Sequence, residues 1–185
     1  MHVYVIAEAG VNHNGNIDLA YELIDVASDA KVDAVKFQTF VADNLVSKTA
    51  KKAKYQTAVT DAAESQHSML KSLELTQDQF VGLQKYSLSK GLDFLSTAFD
   101  QVSLNFLHQE LHLSTLKIPS GELNNAPFIL EHARTGCNLI ISTGMANFQE
   151  ISEAIETAKQ NGCNELAILH CVSGYPAPSE DYNLA

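Results

Sequence analysis

Thr115–Glu122, TLKIPSGE, opens on a short apolar run that carries a cation at its third position, and it ends in a hydroxyl and a carboxylate. Its first four residues read as a β-strand, which places Lys117, Ser120 and Glu122 at the strand's C-terminal tip. The same grammar recurs along the chain. Further strands are expected at Val3–Ala7, Ala34–Gln38, Phe94–Thr97, Leu139–Ser142 and Ala167–Cys171. Their tips carry Glu8, then Lys36 and Gln38, Ser96 and Thr97, Ser142 and Thr143, and His170 to Ser173. Between the strands lie amphipathic stretches at about Asp18–Ala30, Gln77–Lys90, Val102–Glu110, Pro127–Arg134 and Gln149–Asn161. In the first, Leu19, Leu23, Val26 and Ala27 form the expected core-facing stripe. Asp18, Thr76 ahead of Gln79, Gly91 and Gly136 supply the helix boundaries. Strand and helix alternate throughout, so the sheet is parallel and the class is α/β. An open doubly wound sheet gathers its ligand residues at one switch point. A (β/α)8 barrel brings all its strand tips to one mouth, where several contribute. Polar residues at nearly every tip select the TIM (β/α)8-type barrel.

The 185 residues are 45% apolar and 18% charged, enough for one sizeable core. A barrel usually takes about 250 residues, so six strands leave two βα units unaccounted for. The expectation is a single partial barrel domain over 1–185, apparently truncated after strand six, or part of a longer protein. Two unpaired strand edges would then favour association. The net charge of −10 repels phosphate backbones and anionic lipid, which disfavours nucleic-acid and membrane-surface partners. No stretch approaches the roughly 18 consecutive apolar residues of a spanning helix. MHVYVIAEAG is a poor signal peptide, and Cys137, Cys163 and Cys171 lack CxxC spacing. A cytoplasmic protein with reduced thiols is expected.

One segment breaks the rhythm. Between a strand and its helix, about 41–75 exceeds a normal loop and reads as an active-site insertion or lid. Its Lys48, Lys51, Lys52 and Lys54 read first as a solvated face and second as substrate steering.

At the tips, Lys36 and Lys117 with Thr97, Ser120 and Ser142 suit a phosphate or carboxylate ligand. Glu8 and Glu122 can divide acid and base roles, or balance the lysines. HQELH, His108 to His112, is not a zinc-protease motif, because Glu must follow the first His directly. GxSxG, a P-loop and a GxGxxG after a strand are absent. Cys171 reads as a small buried filler rather than a nucleophile.

AEAGVNHNG, Val35–Gln38 with Lys36, FLSTAFD, KIPSGEL, ISTGM and LHCVSGYPAP together resemble the sialic acid synthase family of phosphoenolpyruvate-dependent nonulosonic acid synthases. Six motifs stand in the family's order along essentially the whole chain. The resemblance implies a barrel followed by a small antifreeze-like domain, which is not expected within residues 1–185, and a homodimer in the full-length form. It implies phosphoenolpyruvate contacts at Lys36, Thr97, Lys117, Ser120, Ser142 and Ser173, the last standing where some members have Asn. It implies sugar contacts at Glu8, Gln38, Phe99 and Tyr175, and an acid/base role for Glu122. Asn12 and His13 are assigned to the structure of the mouth. A divalent metal, Mn²⁺ or Mg²⁺, would be held by two histidines past Ala185, so no ligand is expected within this chain.

The implied reaction joins C3 of phosphoenolpyruvate to the aldehyde of an N-acylated hexosamine and releases phosphate by C–O cleavage. The metal would polarise the aldehyde. KIPSGE rather than KIASFE points to sialic or legionaminic rather than pseudaminic acid chemistry. N-acetylneuraminate synthase with N-acetylmannosamine is the first reading. The rivals are N,N'-diacetyllegionaminate synthase, a non-catalytic truncated barrel that binds an anion or partner, and last a Schiff-base aldolase using Lys117.

Overall fold

The computed structural model describes residues 2–50 and 65–184, within two compact units, Met1–Leu111 and His112–Ala185. In the first unit, β1 (Ile6–Gly10), β2 (Ala34–Thr39) and β3 (Asp93–Ala98) are parallel neighbours in that order. In the second, β4 (Thr115–Ile118), β5 (Asn138–Ser142) and β6 (Leu166–Leu169) pair the same way. The described α-helices are α1 (Ile17–Asp29), α2 (Ala42–Leu45), α3 (Gln66–Leu73), α4 (Gln77–Ser89) and α5 (Gln101–Asn105) in the first unit, and α6 (Ala126–Arg134) and α7 (Phe148–Gln160) in the second. Both faces of β2 are buried, as a parallel strand covered on two sides requires. On its helix-facing side Phe37 stacks on Phe94 at 5.8 Å between ring centroids. The second unit's core is Leu116, Ile118, Ile129, Leu139, Ile141, Ala154 and Ala158.

The sequence boundaries needed four corrections, each with a local cause. β1 begins at Ile6 rather than Val3. Ahead of it, side chains do the anchoring: the Val5 N–H donates to Asp33 Oδ2 at 2.7 Å, and Tyr4 donates to Asp93. β6 ends at Leu169 rather than Cys171. There His170 leaves the sheet and its Nε2 donates to the Tyr182 carbonyl at 2.7 Å, while Cys171 is half-buried. α1 buries Ala20, Ile24 and Ala27, whereas Leu19 and Val26 are exposed. Two stripes share the same helical spacing, and the one with small residues can press close to the strands. Its cap is Asn16, which accepts from the Asp18 N–H at 2.8 Å. The segment expected as one helix to Glu110 widens after α5 into a π-helical turn, Phe106–Glu110, closed by the Leu111 N–H on the Phe106 carbonyl at 3.1 Å.

Other boundaries follow the sequence reading. Thr76 and Gln79 form a reciprocal capping box at α4 (3.2 and 2.8 Å). Gly91 and Gly136, at φ +77° and +73°, follow α4 and α6. The described ends of the 41–75 segment are fastened to each other: His67 bonds Asp43 at 2.8 Å, and Glu74 accepts from the Ala42 N–H. Lys51, Lys52 and Lys54 lie outside the described residues. No described helix is long and apolar enough to cross a membrane.

Buried Asp100 ties three groups together. It accepts from the Val41 N–H (2.9 Å), the Ser103 N–H (3.0 Å) and the Ser103 hydroxyl (2.7 Å). Asp100→Ala should therefore cost about 2–4 kcal/mol in urea denaturation; a loss below a few tenths would show the joint to be idle.

His132 in α6 is fully buried, edge-on to Phe128, with Nδ1 donating to the Phe128 carbonyl at 2.9 Å and Nε2 without a partner. Burial pushes its pKa down to about 4. The unfolded ring titrates near 6.5, so between those values the unfolded chain binds the extra proton and stability falls as pH falls. The loss by pH 4.5 should be about 2–3 kcal/mol. His132→Leu should flatten that slope in denaturation at pH 7 and 4.5; an unchanged slope would assign the acid sensitivity elsewhere.

Candidate active-site residues

In the first unit the parallel register brings one chemical set onto one face. Glu8 aligns with Lys36, and Gln38 with Thr97 two positions further along. Period-two alternation then puts Glu8, Lys36, Gln38 and Thr97 on the same side of the sheet. Lys36 is only 4% exposed. A buried ammonium needs both charge and hydrogen-bond compensation. Glu8 supplies the first at 2.8 Å and Thr97 Oγ1 the second at 2.9 Å. Glu8 itself stays more than half exposed, so its carboxylate is shared between Lys36 and solvent. Phe99 follows β3, half-buried and edge-on to Phe40. Ser96 does not join this set: it pairs with Thr39 at 2.7 Å on the opposite, helix-facing side.

The second unit repeats the device. Lys117 of β4 aligns with Ile140, which puts Ser142, two residues on, on the same face. Lys117 is 6% exposed and donates to the Ile118 carbonyl at 3.1 Å and to Ser142 Oγ. After β4 a tight turn, Ser120–Glu122, carries the next two candidates. Ser120 Oγ accepts from the Gly144 N–H at 3.0 Å. Glu122 is half-buried and accepts from Asn125 Nδ2 at 2.7 Å, so one carboxylate oxygen is oriented by a neighbour. Ser173 lies past β6, half-buried, and Tyr175 is exposed.

These bonds fix what each hydroxyl can offer. A hydroxyl carries one hydrogen and accepts through its lone pairs. Thr97, Ser142 and Ser120 each accept from an N–H, so their own O–H hydrogens are available to a ligand. Each unit thus presents a buried ammonium with one hydroxyl bonded to it, Thr97 in the first and Ser142 in the second, a set that suits carboxylate and phosphate oxygens.

Other residues fall outside this set. His13 is buried, with Nδ1 accepting from the Gly15 N–H at 3.1 Å and Nε2 unpartnered; burial lowers its pKa. It packs against Phe37, on the face opposite Lys36. Glu110 and His112 are exposed, and His112 has φ +52°, so HQELH presents no helical pair of histidines. Among the described residues no group of three or more His, Cys, Asp and Glu side chains could hold a metal. Asn125 and Gly144 are the partners that sequence reading missed. Asn125 stands three residues after Glu122, a spacing that could have found it, whereas the Gly144 contact is long-range.

A family model described as the NeuB family matches residues 23–185. The chain belongs to the NeuB family. It is 47% identical over 188 residues to an N,N'-diacetyllegionaminic acid synthase of Legionella pneumophila, covering 100% of this chain and 52% of that protein. It is 45% identical over 182 residues to one of Campylobacter jejuni, covering 97% and 54%. Among solved structures it matches an N-acetylneuraminic acid (sialic acid) synthetase from Leptospira borgpetersenii, complexed with citrate, at TM-score 0.83 and 33% identity, over 99% of this chain and 59% of that one. The likeness shows the α/β barrel-type fold expected from the strand tips. This NeuB-family chain spans about half the length of the curated relatives it matches.

The Lys36 pairing makes a testable energetic claim. Glu8→Gln leaves a buried ammonium with a neutral partner and should cost about 1–3 kcal/mol. Lys36→Met in that background should restore most of the loss in denaturant titrations. Strict additivity of the two losses would show that the ion pair carries no coupling.

Proposed function

We propose that this chain carries the phosphoenolpyruvate-binding and acid/base residues of a nonulosonic acid synthase. The observation that carries the proposal is the pair of buried lysines, each bonded to a strand-tip hydroxyl whose own hydrogen is left for a ligand. Phosphoenolpyruvate has a carboxylate and a phosphate, and Lys36, Thr97, Lys117, Ser120, Ser142 and Ser173 are the donors we assign to them. Gln38, Phe99 and Tyr175, with Glu8, are assigned to an N-acylated hexosamine.

In the proposed reaction, C3 of phosphoenolpyruvate bonds to the sugar's aldehyde carbon, and the aldehyde oxygen takes up a proton. Positive charge develops at C2, where water adds, and Glu122 takes the water's proton as general base. The tetrahedral carbon then collapses to a ketone by C–O cleavage, its hydroxyl proton leaving with the expelled phosphate. The lysines stabilise charge on the carboxylate and phosphate as it redistributes. A divalent cation, Mn²⁺ or Mg²⁺, is proposed as an added requirement. No cluster among the described residues fits it, and no step above runs through it.

N-acetylmannosamine is the first sugar proposed, giving N-acetylneuraminate. A diacetamido-trideoxyhexose is the second, favoured by the names of the Legionella and Campylobacter relatives. The test is phosphate release from phosphoenolpyruvate by this chain with Mn²⁺ and each sugar in parallel. Release should depend on sugar, and the sugar with the larger kcat/KM identifies the substrate. Glu122→Gln should lower turnover by about 100-fold or more while leaving phosphoenolpyruvate affinity within about twofold. Undiminished turnover would remove Glu122 from its role. Binding without release by the unaltered chain would reduce the proposal to ligand binding.

A further inference from the structure

Gly144 directly follows Thr143 in the loop after β5, and it is buried. Gly10, Gly15, Gly91, Gly136 and Gly162 have positive φ, but Gly144 is not among them, so its backbone would accept alanine. What excludes a side chain is proximity. A Cβ there would lie 2.2 Å from Ser173 Oγ, 3.0 Å from Ser120 Oγ and 3.3 Å from Ser173 Cβ. The loop is also pinned: the Thr143 N–H and hydroxyl both donate to the Leu169 carbonyl (3.2 and 2.8 Å). The next residue, Met145, sits at φ +68°, uncommon for a residue with a side chain.

We infer that Gly144 is a positioning residue for the hydroxyls of Ser120 and Ser173. Its N–H, donating to Ser120 Oγ, leaves the Ser120 hydrogen free for a ligand, and its missing side chain gives Ser173 Oγ its place against the loop. The atom nearest an added Cβ is the end of a short rotatable side chain, so alanine displaces the Ser173 hydroxyl before it displaces backbone. The expected consequence is weaker anion binding with the fold intact. The inference rests on the reading that Ser120 and Ser173 contact phosphoenolpyruvate.

The experiment titrates phosphoenolpyruvate calorimetrically into the unaltered chain, Gly144→Ala, Ser173→Ala and the double variant, with melting temperatures for all four. Gly144→Ala should weaken binding about tenfold, the loss of one hydrogen bond to a charged ligand. Its melting temperature should stay within about 2 °C of the unaltered chain. The double variant should bind no more than about threefold more weakly than Ser173→Ala, because that change removes the hydroxyl the new Cβ meets. Binding by Gly144→Ala within twofold of the unaltered chain would overturn the inference alone. So would losses that multiply fully in the double variant, or a lowered melting temperature with unchanged affinity. Failure of the unaltered chain to bind would overturn the functional reading and this inference with it.

Discussion

Burying a lysine inside a parallel strand is the constraint on which the candidate chemistry depends. An ammonium taken out of water costs several kcal/mol unless charge and hydrogen bonds replace its hydration. For Lys36 the replacements come from the neighbouring strands of its own sheet, Glu8 on β1 and Thr97 on β3. Lys117 draws on the carbonyl that follows it and on Ser142 of β5. The register of each unit sets which residue can meet which lysine. A slip of one residue would turn Lys36 toward the helices and leave its charge among phenylalanines.

That constraint also fixes hydroxyl direction. Thr97 and Ser142 accept from lysine, and Ser120 accepts from the Gly144 amide. Each oxygen's hydrogen is thereby left for whatever binds. Preorganised donors of this kind act on an anion without a reorganisation cost at the moment of reaction. An acidic net charge is therefore compatible with the anionic ligand proposed above, because donors placed locally outweigh distant charges.

The strand tips were the most legible part of the sequence. Lys36 and Lys117 sit inside short apolar runs, Thr97 and Ser142 sit at or next to the ends of theirs, and strand periodicity puts cation and hydroxyl on one face without any knowledge of the fold. Thr76 with Gln79 was equally readable, because a capping box is local. Ser96 was misleading: it is a tip residue, but its place one residue before Thr97 sends it to the helix side. α1 exposed another limit, since Leu19 and Ala20 head equivalent stripes and only close packing chooses between them. The end of β6 depends on the His170 bond to Tyr182, twelve residues on, and the value of Gly144 depends on Ser120 and Ser173. Such contacts leave no periodic trace in a sequence.

The central proposal is that Lys36 and Lys117 are each donors to phosphoenolpyruvate. Its most direct test is calorimetric titration of phosphoenolpyruvate into the unaltered chain, Lys36→Met and Lys117→Met. Methionine keeps most of each side chain's volume and removes the charge. The account predicts stoichiometric binding by the unaltered chain and a loss of about 100-fold or more in each variant. Affinity unchanged in either variant would contradict it.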